Sequence, residues 1–275
     1  MTTADIKLHN IIDILNHAVP PSCAEDWDNV GLMSGHPEQT VRGILLALDP
    51  TMELLEEAAA VNADLIITHH PVIFRPWRHI RLDEPGAAFV AGAIRNAIAV
   101  FACHTNLDTV RHGINDALAE ALGLLDCRPL QPSTSEEPAV GLGLSGRLQR
   151  PLPGREFLQM LCVVLNQPAV RVCGQLPDII QRAAVCGGSG SEFAAAARHS
   201  GAQIYISGEI KHSTARWAEE AGFCIVDAGH FGTENTGIPV FADLLRRQFK
   251  EQGLELPVMV STRQYDPLGF FIAQS

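Results

Sequence analysis

Cysteine pairs, aromatic bulk, positive charge and long apolar runs are all scarce in this chain of 275 residues, and each scarcity closes off a class of protein. The seven cysteines, Cys23, Cys103, Cys127, Cys162, Cys173, Cys186 and Cys224, are odd in number and none stands in a Cys-x-x-Cys pair. That argues against a disulfide framework and against a thiolate zinc site, and leaves the cysteines as small buried hydrophobes. Aromatic residues make up only 6%, so the core has to be aliphatic. Lys and Arg number 20 against 31 Asp and Glu, for a net charge of −11. This disfavours duplex nucleic acid as a partner, because a phosphate-backbone binder needs a basic surface to displace counterions. No apolar run reaches membrane-spanning length, and the opening residues Met1 to Asp5 are polar and acidic rather than basic and then apolar. The expectation is no membrane partner and a cytoplasmic location. With 47% apolar and 19% charged residues, the chain can bury one large core or two compact ones.

Strand and helix signals alternate. Residues 6 to 17 carry apolar side chains at helical spacing and Pro20-Pro21 stops them. Trp27 to Leu32 is a turn-rich piece. Gly43 to Leu48 is strand-like, and Pro50 to Val61 helix-like with Asp49 as its expected N-cap. Asp64 to Thr68 is an apolar strand that completes a βαβ unit, followed by a helix over 87–96, a strand over 98–103 and a helix over 114–122 closed by Gly123. From about 127 to 140, Pro129, Pro132, Ser133, Thr134, Ser135, Glu136, Glu137 and Pro138 predict a linker. Beyond it the strand and helix pattern resumes, with strands over 141–148, 170–173, 183–186, 203–207, 224–227 and 257–261 and helices over 155–165, 193–198 and 237–248. The expected fold class is α/β, in two interlinked domains with mostly parallel sheets: 1–127 completed by 228–275, and 128–227 between.

Three of the strands end abruptly in metal-binding side chains. Ile66-Ile67-Thr68 stops on His69-His70-Pro71, and Phe101-Ala102-Cys103 on His104, with Asp108 four residues on. Ile225-Val226-Asp227 runs into Ala228-Gly229-His230, with Glu234 after Thr233 as a helix cap. Adjacent histidines on an extended backbone point to opposite sides, and the carboxyl edge of an open α/β sheet is where ligand sites form. Each segment alone has an ordinary account, with His104 capping a strand, Asp108 capping a helix and Glu234 offsetting a helix dipole. Together the imidazoles and carboxylates are too many for one zinc ion. Divided over two ions they leave open positions, the arrangement of a catalytic dinuclear site. Gly187-Gly188-Ser189-Gly190 before a helix is a weaker candidate, a phosphate cradle without the lysine of a P-loop. Glu209, Lys211 and His212 either face the same cavity or begin a solvated helix, and Trp77 with Arg78 lies in a loop able to gate a site.

These segments resemble the dinuclear-metal family known as GTP cyclohydrolase I type 2-like, or Nif-three-like. The matching pieces are Trp27-Asp28-Asn29-Val30-Gly31-Leu32, Thr68 to Pro71, His104 to Asp108, Cys186 to Gly190, Gly208 to His212 and Asp227 to Glu234, which span the chain. The resemblance implies that His69, His70, Asp108, His230 and Glu234 hold two divalent ions per subunit, with Glu234 as the bridge. Iron, zinc and manganese all fit mixed imidazole and carboxylate ligation. It further implies that His104 either supports the ligands from behind or transfers protons, and that dimers assemble into a hexameric ring with the metals facing an inner cavity. The chain departs at Gly208-Glu209, where the family pattern has glycine and aspartate, and it corresponds to the shorter type without an inserted domain. The implied activity is a metal-dependent hydrolase acting on a small, nucleotide-like or cyclic-amide substrate. The alternative is a non-catalytic protein that stores, delivers or scaffolds metal.

Overall fold

The computed structural model describes residues 6–133 and 140–271. The first half contains α1 (Leu8–Ala18), β1 (Gly31–Ser34), β2 (Ile44–Ala47), α2 (Met52–Ala60), β3 (Leu65–Thr68), α3 (Pro85–Arg95), β4 (Ala99–Ala102), α4 (Thr105–Thr109) and α5 (Ile114–Ala121). There follow β5 (Leu124–Pro132), β6 (Gly141–Pro153), α6 (Gly154–Val164), β7 (Arg171–Cys173), β8 (Ile179–Ser189), α7 (Ala194–His199), β9 (Ile204–Gly208) and α8 (His212–Glu220). The chain closes with β10 (Cys224–Asp227), α9 (His230–Asn235), α10 (Gly237–Glu251) and β11 (Val258–Val260). Five strands form one sheet in the order β1-β4-β3-β2-β11, and six form a second in the order β5-β6-β8-β9-β10-β7.

Both sheets are covered on both faces, which is why their central strands are unbroken apolar runs. Successive side chains alternate between two cores. Ile44, Leu46, Leu65, Ile67, Ala99 and Phe101 pack with residues of α1 and α10, while Leu45, Ala47, Ile66 and Val100 pack with those of α2 and α3. In the second sheet, Ile204, Ile206, Cys224 and Val226 face Phe157 and Leu161 of α6 together with Leu118 of α5. Tyr205 and Ile225 face α7 and α8 through Ala197 and Ala218. Tyr205 is fully buried with its hydroxyl donating to the Gly190 carbonyl at 2.7 Å.

Apart from β1, which runs antiparallel along β4, the first sheet is parallel. The second is mixed: β8, β9 and β10 are parallel, but β5, β6 and β7 each make antiparallel pairings. The linker expected over 127–140 is corrected accordingly, since β5 runs to Pro132 as an edge strand paired with β6. An edge strand tolerates Pro129 and Pro132 because a proline there withholds no N–H from a neighbour. Thr134, Ser135, Glu136, Glu137 and Pro138 lie outside the described residues. After β10 the chain rejoins the first sheet only at β11, which pairs with β2 in parallel register, Val258 beside Ile44.

Candidate metal centre

The candidate ligands collect where the carboxyl end of the first sheet meets α9 of the second half. His69 and His70 directly follow β3, their amides donating to the carbonyls of Ala47 at 3.1 Å and Leu48 at 3.0 Å. Pro71 has no N–H and ends the ladder. His104 is the residue before α4 and Asp108 lies on its first turn. Glu234 follows His230 by one turn of α9, so both side chains share one helical face.

Four imidazoles follow one rule: Nδ1 of each is held by an oxygen. His69 Nδ1 donates to the Cys103 carbonyl at 2.9 Å, His70 Nδ1 to Asp49 Oδ1 at 2.7 Å, and His104 Nδ1 to Asp28 Oδ1 at 2.7 Å. His230 Nδ1 lies 3.2 Å from Glu209 Oε1. A proton fixed on Nδ1 leaves Nε2 with its lone pair free, the tautomer of a metal-ligating histidine with an outer acceptor.

The inward atoms divide about Glu234. Its Oε1 lies 3.7 Å from His69 Nε2, which also lies 3.7 Å from Asp108 Oδ1. Its Oε2 lies 3.1 Å from His70 Nε2 and 3.0 Å from His230 Nε2, and those two nitrogens are 3.2 Å apart. One carboxylate thus faces two sets of donors with its two oxygens. Ligand atoms of His70, His230 and Glu234, and of His69, His70 and His104, lie within 4.8 Å of one another in each set. His69 and Glu234 are buried, at 1% and 4% exposure. Even so, His69 Nε2 and Asp108 Oδ1 are among the few buried side-chain polar atoms without a hydrogen-bond partner in the described residues. Burying such atoms unpaired costs about 1–3 kcal/mol each, a penalty that a cation between them removes. The donor set therefore fits a metal ion.

Charge in the cluster is strongly redistributed. Burial pushes the His69 imidazole down, keeping it neutral, and raises the Asp108 carboxyl well above its usual range with help from the facing Glu234. Burial would also raise Glu234, but His69, His230 and His70 reverse this and hold it well below. Against burial, Asp49 and Glu234 push His70 up to about 10. Asp28 is likewise opposed by burial, yet its bonds from His104 and Thr105 hold it at about 2. These opposed shifts mark charge that a bound cation would balance.

The expected site residues come together, and three details differ from expectation. The rings of His69 and His70 do not diverge; their centroids are 5.0 Å apart and both face Glu234, because the strand has ended and the two rings answer to different oxygens. Asp49 does not cap α2. Thr51 does, accepting from the Leu54 amide at 3.2 Å, and Asp49 is freed to hold His70. Thr233 is no cap either: it lies inside α9, bonding back to the Gly229 carbonyl at 2.9 Å and accepting from the Gly188 amide at 3.0 Å. The glycine segment is not a phosphate cradle. Gly187 to Ser189 belong to β8, and the amides of Gly187, Gly188 and Gly190 are engaged by Asn115, Thr233 and Ser207. Gly188 is at φ +62°, and a Cβ there would run into Oε1 of Glu234.

Asp28, Asp49 and Asn115 are supporting residues whose contacts no local pattern announces. Asp28 reaches across 76 positions to His104, and Asn115 ties the Asp108 carbonyl to the Gly187 amide at 2.9 Å each. Two cavities reach the cluster. One, of about 540 Å³, is lined by Asp49, His70, Arg171, Glu209, His230 and Phe270. The other, of about 410 Å³, is lined by Trp27, Phe74, His104, Asp108, Glu192 and Glu234.

Fold and cluster define an α/β protein with a buried His/Glu group able to take a metal ion. The chain belongs to the Duf34/NIF3 (NGG1p interacting factor 3) family, whose pattern matches residues 6–267. A Clostridium acetobutylicum relative named GTP cyclohydrolase 1 type 2 homolog is 33% identical, the alignment covering 96% of this chain and 99% of that one. The crystal structure of a Bacillus cereus protein related to NIF3 superposes with a TM-score of 0.91 at 25% identity, over 97% of this chain and all of the other. A Staphylococcus aureus structure matches with the same score at 28% identity, over 97% of this chain and 100% of its own. No helix among the described residues is long and apolar enough to cross a membrane.

Proposed function

We propose that this chain is a dinuclear metal-dependent hydrolase acting on a small substrate. The observation that carries the reading is the division of inward donors about Glu234. His69, itself 3.7 Å from Asp108, faces one of its oxygens, His70 and His230 the other, and every imidazole has its Nδ1 against an oxygen. Glu234 would bridge two divalent ions, with iron, zinc and manganese all compatible with this ligation. When bound, such ions polarise a substrate oxygen and lower the pKa of water to near neutrality.

The protein's own contribution is proton handling and orientation. His104 keeps Nδ1 on Asp28 and so presents Nε2 to accept a proton and return it to a leaving group. Asp28 is itself fixed by the Thr105 amide at 3.0 Å and hydroxyl at 2.6 Å, so it holds the His104 ring in one orientation. Burial of His69 and Glu234 keeps bulk water from competing for the ligands.

The name carried by the Clostridium relative points to nucleotide-like or cyclic-amide substrates, and we extend that class to this chain. The proposal includes a cytoplasmic hexameric ring of dimers with the sites facing inward, where bound cations offset part of the net charge of −11. Metal-replete protein assayed against GTP, other nucleotides and cyclic amides tests the activity. Turnover abolished by His69→Ala supports it, whereas no turnover together with readily exchangeable metal favours a storage or delivery protein.

A further inference from the structure

The cavity of about 410 Å³ has a size typical of small-ligand sites, and it contains four of the six candidate site residues: His104, Asp108, His230 and Glu234. Its outer wall is aromatic in a chain poor in aromatics. Trp27 is 60% exposed and Phe74 is 40% exposed. Their ring centroids are 5.8 Å apart at an interplanar angle of 67°, and the His104 ring lies 6.2 Å from Trp27 and 6.0 Å from Phe74, nearly perpendicular to both. The three rings form a corner in the same cavity as the candidate ligands Asp108, His230 and Glu234.

This corner is held rigidly. Asp28, covalently next to Trp27, is pinned by His104 and Thr105, and the Glu25 amide donates to the Thr105 hydroxyl at 3.0 Å. The Asn29 side-chain amide donates to the carbonyl of Ile73, the residue before Phe74. Trp27 thus adjoins the carboxylate that positions His104, and Phe74 is tied to the same stretch through Ile73 and Asn29. A large exposed ring in a preorganised setting offers a flat contact surface at little entropic cost. Gln131 and Glu192 also line the cavity and provide polar groups suited to the edge of a ring rather than to its face.

We infer that Trp27 and Phe74 form a stacking subsite for a planar heteroaromatic ring that presents an oxygen donor to the metal cluster. The inference rests on the dinuclear reading for what lies behind the ring and goes beyond it in naming a recognition surface. Stacking of one base on an aromatic side chain strengthens binding by roughly tenfold or more.

Guanosine 5′-monophosphate and ribose 5-phosphate are suitable probes, since both carry the phosphate and only one carries a heteroaromatic base. Titration calorimetry on the metal-loaded chain should show the nucleotide binding at least tenfold more tightly. In a variant with Trp77→Phe and Trp217→Phe, where Trp27 is the remaining tryptophan, the nucleotide should quench the fluorescence and ribose 5-phosphate should not. Trp27→Ala and Phe74→Ala should each bring nucleotide affinity toward that of ribose 5-phosphate while leaving metal content and ribose 5-phosphate affinity unchanged, and Trp27→Phe should retain most of the preference. Equal binding of the two probes, no measurable nucleotide binding, or a preference that survives both alanine variants overturns the subsite. Metal content, measured on the same samples, scores the dinuclear reading separately: two ions with no preference for the base would sink the subsite alone. A chain without metal that still binds guanosine in a Trp27-dependent way would sink the reading and keep the stacking surface.

Discussion

Asp49 Oδ1 lies 2.7 Å from Nδ1 of His70, across the carboxyl ends of two adjacent parallel strands. The contact fixes the ring with Nε2 toward Glu234. Asp49→Ala should leave the fold intact and weaken metal binding by roughly 10- to 100-fold, the usual effect of losing an outer partner of a ligating histidine. Competition titration against a chelator of known affinity measures it, and unchanged affinity would show that His70 needs no such support.

Gly188 approaches Glu234 so closely that no side chain fits, and its φ of +62° disfavours any other residue. Gly188→Ala should lose metal through displacement of Glu234 and destabilise the protein by about 1–3 kcal/mol from backbone strain alone. Elemental analysis with a thermal melt checks both effects. Full metal content in that variant would mean that Glu234 does not need its observed position.

Much of this was legible in the sequence. The central strands were visible because burial on both faces demands continuous apolar runs, and Ile66-Ile67-Thr68-His69-His70 shows the run breaking at the site. Asp49 was misread because a residue before Pro50 satisfies the pattern of a helix cap, while its true partner is 21 positions away. The antiparallel edge at β5 was hidden because Pro129 and Pro132 carry the same local signal in a linker and in an edge strand. Asp28 and Asn115 act over 76 and 72 positions, distances at which spacing carries no information.

Replacing His104 is the way to separate metal holding from proton transfer. His104→Ala should keep two ions and lose roughly 10²- to 10⁴-fold in turnover, the range for a general acid–base group. A variant that loses an ion instead would make His104 a ligand.

Acid sensitivity should have a source remote from the site. Glu57 of α2 accepts from the Ser261 hydroxyl and from the Thr262 amide and hydroxyl, the latter two at 2.9 Å, joining α2 to the segment after β11. Burial raises its pKa, but these bonds prevail and hold it below the usual value. A depressed folded-state pKa contributes stability fully above the unfolded value, about 4.3, and loses it as pH falls through the folded value. Glu57→Gln should lower Tm at pH 7 by roughly 3–8 °C and flatten the loss of stability below pH 5. Parallel wild-type and variant curves of Tm against pH would exclude Glu57 as a contributor.

Elemental analysis of the purified chain, before and after reconstitution with iron, zinc or manganese, tests the central claim most directly. Two ions per chain, both lost in Glu234→Ala, is the predicted result; transition-metal content near zero in the wild-type chain even after reconstitution would contradict it.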